Sequence, residues 1–344
     1  MLDRLDISIE KFLEDRNFSG AVVVKSDDEV LKTASGFANR AEERFNDVDT
    51  RFGIASGCKV FTAIAITQLV EKDVLSFKTR LVDCLDISFP HFHDEITIHH
   101  LLTHTSGIPD YFDEDVMEDF EDLWKQTPMY HLKSLKDFLP LFQNGRMVAN
   151  PGESFRYNNA GYIVLGLIIE QQTGMSFQDY IKEHIFPLAD MQESGYFSMD
   201  CLPKNTAIGY IDEKDGSWRT NTYSVPIMGG SDGGAYVTAP DMIKLWEALV
   251  GFRLLDENHT TMLLTPHVRV KVGVNYGYGV WLNSGNNSIV KYHVMGYDPG
   301  VSFHSAYYPM TGVKVAIPSN RSSGAIDVMK VIEDQLELLD NQVK

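Results

Sequence analysis

The chain has 344 residues, 44% of them hydrophobic, and a formal net charge of -18. That length suits one large two-lobed unit or two domains, and the hydrophobic share is that of a globular protein. The acidity argues against nucleic acid or an anionic membrane surface as partner, since both need basic patches, and no stretch is long and apolar enough to span a bilayer.

Residues 1–13 read as an amphipathic helix of mixed charge. It lacks the apolar core of a signal peptide, which gives the expectation of a cytoplasmic protein. Residues 19–26 and 29–34 read as a hairpin around Asp27 and Asp28. Next comes Ile54-Ala55-Ser56-Gly57-Cys58-Lys59-Val60-Phe61, which heads a helix apolar on nearly every side. Such a helix is buried. Ser56 and Lys59 are three positions apart and share a face. Ser56 also sits at the positive end of the helix dipole. Burial favours a neutral lysine amine, and a neutral amine activates a serine nucleophile. Cys58, Cys84 and Cys201 are odd in number and lack metal spacing, so no disulfide framework is implied.

From about 75 to 220 the pattern is mostly helical, with loops. His91, His93, His99, His100 and His104 cluster there. The segment closes at Gly107 and has no His-Glu-x-x-His, so a metal centre is not expected. The acidic run 113–122 lacks the glycine and oxygen spacing of a calcium loop and reads as a solvated face. Tyr157-Asn158-Asn159 stands before another apolar helix that ends near Gly174. If Lys59 keeps its proton, its charge favours a Tyr157 phenolate, and the tyrosine becomes the base. Asn159 offers an amide to orient Lys59 or a substrate, or serves as a cap. Ser176 with Asp179 opens the next helix.

Gly229-Gly230-Ser231-Asp232-Gly233 matches the nucleophile elbow of α/β-hydrolases, but no helix pattern follows it. From about 225 strands return, and a helix spans roughly 325 to 340. Gly296 lies in one such strand, where a glycine lets substrate backbone approach. The Tyr297 N–H, paired with that of Ser56, would form an oxyanion hole. The expected layout is α+β: an α/β lobe from 1–75 and 221–344 with an antiparallel sheet, a mostly helical lobe from 76–220, and a ligand cleft between them.

The ordered motifs Arg51-Phe52-Gly53-Ile54-Ala55-Ser56, Leu101-Leu102-Thr103-His104-Thr105-Ser106-Gly107-Ile108-Pro109, Tyr157-x-Asn159 and Gly233-Gly234-Ala235-Tyr236 run along nearly the whole chain. Together they resemble the serine β-lactamase and penicillin-binding-protein family, in the branch of class C β-lactamases, D,D-carboxypeptidases and related esterases. The resemblance implies a β-lactamase/transpeptidase-like fold, Ser56 as nucleophile, Lys59 and Tyr157 as its base pair, and Asn159 as a positioning residue. It implies no metal or organic cofactor. The implied substrate is a small ester, a D-amino-acid peptide or a β-lactam. A penicillin-binding or regulatory homologue with poor turnover is the alternative. Two departures stand out. Cys58 replaces a common serine, and Val294-Met295-Gly296 stands where the family has Lys-Thr-Gly or His-x-Gly. His293 falls one position early, so either the strand is shifted or the site lacks a base for a substrate carboxylate. His293 is therefore carried as a substrate-binding candidate beside Gly296 and Tyr297.

Overall fold

The computed structural model describes residues 2–113, 116–117, 119–285 and 288–340. An eight-stranded antiparallel sheet organises it. Its strands are β1 (Gly20–Ser26), β2 (Glu29–Ser35), β3 (Val268–Lys271), β4 (Val274–Tyr276), β5 (Trp281–Gly285), β6 (Ser288–Asp298), β7 (Val301–Tyr307) and β8 (Lys314–Ser319). In space the order is β2-β1-β8-β7-β6-β5-β4-β3. The expected hairpin is β1–β2, paired from Gly20↔Ser35 to Ser26↔Glu29. The first and last strands of the sheet in sequence, β1 and β8, lie side by side, with Gly20 opposite Ser319. There Ser19 Oγ donates to Asn320 Oδ1 at 2.7 Å, across 301 positions of chain.

The helices that matter here are α1 (Leu2–Asp15), α2 (Lys59–Glu71), α3 (Ile98–Leu102), α4 (Asn159–Thr173), α5 (Ala239–Val250) and α6 (Ala325–Asp340). One face of the sheet buries Val22, Val24 and Ile317 against Leu5 and Ile9 of α1 and Val328 and Ile332 of α6. The other face sends Ala21, Val23 and Phe303 into the larger core with α2, α4 and α5. This explains why β1 reads Ala-Val-Val-Val rather than alternating: a strand covered on both faces has no polar side. Helix α2 is buried from Lys59 to Leu69, as its all-round apolarity requires.

Helix α4 starts at its Asn158 cap, whose side chain accepts from Gly161 N, and stops at left-handed Gly174. Ser176 then caps the next helix by accepting from Asp179 N. The rest of 76–220 is less helical than expected. It holds short helices, 3₁₀ turns, loops and a small hairpin, Tyr210–Asp212 with Trp218–Thr220. Pro90, Pro109, Pro128, Pro140 and Pro151 punctuate this stretch and keep its helices short. Among the described residues no helix is long and apolar enough to cross a membrane.

Candidate active site

Ser56 sits in the 3₁₀ turn Ala55–Cys58, just ahead of α2 rather than inside it. The turn runs straight into the helix, so Lys59 still lies one turn on. Ala55 has φ 45°, a left-handed conformation that costs a non-glycine residue energy and is typical of over-determined functional turns. Cys58 is fully buried, and burial pushes its thiol up to about 11, so it is no rival nucleophile.

Strand β6 lies directly against this turn. A Cβ on Gly296 would meet Ile54 O at 2.1 Å and the amide nitrogens of Ser56 and Gly57 at 2.8 and 2.7 Å. All three are backbone atoms, so only glycine permits the approach. Gly296→Ala is therefore expected to push β6 off the serine turn, destabilise the fold by the 1–3 kcal/mol or so of an overpacked site, and lower the rate of serine acylation. Thermal unfolding together with labelling by an active-site fluorophosphonate checks this. Wild-type labelling at wild-type stability would refute it.

Lys59 is 2% exposed. Its Nζ donates to Ser56 Oγ at 2.9 Å, to Asn159 Oδ1 at 2.8 Å and to the Asp232 backbone oxygen at 2.7 Å. Three acceptors match the three donors of an ammonium. The Nζ also lies 5.0 Å from the centre of the Tyr157 ring. Thus Ser56, Lys59, Tyr157 and Asn159, drawn from two segments of chain, 56–59 and 157–159, meet at one point. Two carboxylates flank them. Asp232 accepts from the Tyr111 hydroxyl, and burial raises its carboxyl above the usual range although Lys59 pulls it down. Asp110 accepts from the backbone N–H groups of Asn159, Ala160 and Tyr111, yet burial still pushes it up to about 7.

The remaining candidates fare differently. β6 pairs with β7 without a bulge from Tyr292↔Tyr307 to Asp298↔Val301. Strand alternation therefore puts Val294 and Gly296 on one face and His293 on the other. Val294 is in the larger core. His293, expected as a substrate-binding candidate, does not line the cleft. Its ring lies parallel to that of His304 at 6.4 Å, and burial holds it neutral. Tyr297 does line the cleft, and its hydroxyl meets His304 Nε2 at 2.5 Å. Ser231 is buried against Gly166 and is not in the cleft wall. His99 Nδ1 meets the Tyr278 hydroxyl at 2.9 Å, and His100 Nδ1 accepts from Thr97 N, so both serve local structure. Among the described residues, Glu71, Asp256 and His259 are close enough together to hold a metal, and none lines the main cleft.

The cleft itself is about 640 Å³. Phe112, Met117, Phe120, Phe138 and Ile227 give it an apolar wall. The acidic run read as a solvated face thus supplies cleft residues. The signal was present as Phe112, Met117 and Phe120 set among the acids. Asp119, Asp232 and Asp298 also line the cleft. Among the described residues no Lys, Arg or His lines it, and Lys59 is buried behind Ser56, to which it is bonded.

The model of the family described as Beta-lactamase matches residues 5–335. Penicillin-binding protein 4* of Bacillus subtilis (strain 168) is 30% identical over 319 residues, which cover 87% of this chain and 67% of that protein. The chain thus spans about two thirds of that relative's length. The crystal structure of a penicillin binding protein from Bacillus halodurans superposes with a TM-score of 0.92 at 58% identity, covering 95% of this chain and 99% of the other. The D-amino acid amidase of Ochrobactrum anthropi SV3 shares the fold, with a TM-score of 0.80 at 20% identity over 100% of both chains.

Proposed function

The chain belongs to the Beta-lactamase family, and from that premise we propose that it is a serine hydrolase whose substrate is an ester or amide without a carboxylate near the scissile bond. The observation that carries this reading is the Lys59 amine, buried and bonded at once to Ser56 Oγ and Asn159 Oδ1. Ser56 Oγ attacks the carbonyl as its proton passes to the Lys59–Tyr157 unit. The same unit returns a proton to the departing alcohol or amine. Backbone N–H groups of Ser56 and Tyr297 face the developing oxyanion. Water then attacks the acyl-enzyme, and Ser56 recovers its proton.

The choice of substrate rests on the cleft wall. A substrate carboxylate would need a basic partner, but Val294 is an apolar core residue, no Lys, Arg or His lines the cleft among the described residues, and the lining carries three carboxylates of its own. Losing a charge-assisted hydrogen bond costs about 1.5–3 kcal/mol, which is roughly ten- to a hundredfold in binding. A short-chain nitrophenyl ester is expected to exceed a chromogenic cephalosporin in kcat/KM by at least that factor, and by more at low salt, where like charges repel furthest. A preference for the cephalosporin would refute the substrate assignment. A long-lived penicillin adduct without turnover, read by mass spectrometry, would instead favour a penicillin-binding role, which the names of its relatives support.

A further inference from the structure

The segment after α3, His104-Thr105-Ser106-Gly107-Ile108-Pro109-Asp110, contributes nothing that touches a substrate in the mechanism above. Yet it meets the Tyr157–Asn159 triplet residue by residue. The His104 carbonyl accepts from Arg156 N at 2.8 Å, and its Nδ1 accepts from Asn158 N at 3.1 Å. One residue thus grips the chain on both sides of Tyr157, and its ring lies 4.4 Å from the Tyr157 ring. Because Nδ1 accepts, the proton is on Nε2, which faces the Tyr276 hydroxyl at 3.2 Å. The imidazole is buried and held neutral, in a single tautomer. The grip requires φ 57° at His104, a left-handed backbone that non-glycine residues adopt only when their surroundings impose it.

The next partners continue the pattern. Ile108 O accepts from Asn158 Nδ2 at 2.9 Å. Asp110 takes both the backbone N–H and the amide Nδ2 of Asn159, at 2.7 and 3.3 Å. An asparagine amide has one donor end and one acceptor end. With its Nδ2 turned to Asp110, its Oδ1 is turned to Lys59.

We propose that 104–110 is a template that sets Tyr157 and Asn159 against Lys59, with His104 and Asp110 as positioning residues. The proposal rests on the reading of those three side chains as one catalytic unit.

The test uses His104→Ala, His104→Asn and Asp110→Asn in the full chain, with turnover of a nitrophenyl ester normalised to sites titrated by a fluorophosphonate. His104→Ala and Asp110→Asn are expected to lower kcat per titrated site by about 10- to 100-fold, the cost of misplacing a catalytic group. KM should change little, because the cleft wall is untouched. His104→Asn is expected to recover most of that loss, since asparagine tolerates the left-handed backbone and its side-chain oxygen replaces Nδ1 as acceptor. A merely structural role would lower thermal stability and the number of titratable sites while leaving kcat per site at the wild-type value, and that result overturns the proposal. Crystal structures of the variants give a second readout that needs no turnover. The Asn159 amide is expected to turn from Lys59 in Asp110→Asn, and an unmoved triplet in both disruptive variants overturns the proposal. A wild-type protein that neither hydrolyses the ester nor takes up the fluorophosphonate removes the hydrolase reading itself, while the variant structures still decide whether the template exists.

Discussion

Ser56→Ala is expected to abolish the acyl adduct and to reduce turnover by on the order of 10⁶-fold, the scale seen when a nucleophile acting within a unit is removed. The reason is geometric as well as chemical. Ser56 Oγ is the hydroxyl within 2.9 Å of a buried lysine amine, and it stands in a turn whose backbone N–H groups face β6. Ser231 offers the contrasting case. Its hydroxyl is buried without a hydrogen-bond partner among the described residues and lies against α4. Ser231→Ala is therefore expected to keep both adduct and activity. Intact-protein mass spectrometry after fluorophosphonate treatment, with ester turnover alongside, decides the matter. A labelled Ser56→Ala and an unlabelled Ser231→Ala would restore the elbow serine as nucleophile.

Lys59→Met and Tyr157→Phe are each expected to slow acylation by roughly 10²- to 10⁴-fold, the range of a general-base contribution. Methionine keeps the length and apolar stem of the lysine, so the α2 core stays filled. It leaves Asn159 Oδ1 and the Asp232 carbonyl without their donor, which costs about 1–3 kcal/mol for each buried group. A stability measurement separates that cost from the kinetic one. The double variant should fall far short of the product of the single effects, because groups that share one proton-handling task are non-additive. Single-turnover acylation rates for the four proteins complete the cycle. Simple multiplication of the two losses would mean that Lys59 and Tyr157 act independently.

Local signals in the sequence were strong where the chemistry is local. The β1–β2 hairpin, the all-apolar α2, the Gly174 stop and the Ser176 cap depend on neighbours within a few positions. The adjacency of Ser56 and Lys59 follows from one helical turn. The missed features are products of long-range packing. That His104 grips Arg156 and Asn158 has no local signature, because the partners are linked through the tertiary fold alone. The orientation of His293 could be posed but not resolved from spacing. It depends on whether β6 carries a bulge between His293 and Gly296, and the unbroken pairing of Tyr292–Asp298 with β7 answers that. The acidic run from 113 reads as a solvated face because its charges outnumber Met117 and Phe120, which line the cleft together with Phe112 just before it.

The order in which the chain leaves the ribosome is also the order in which the cleft is supplied. Serine, lysine and tyrosine emerge first. The strand that walls them, β6, emerges late, and β8, which joins that wall to β1, emerges later still. Contacts such as Ser19 to Asn320 close 301 positions of chain. Pairing of this range is slow to nucleate, because the entropy of loop closure is lost before the contacts return it. A nascent chain that stops short of β6 carries Ser56, Lys59 and Tyr157 but lacks the strand that lies against the serine turn. Acylation by a small probe during synthesis would then time the closing of the sheet.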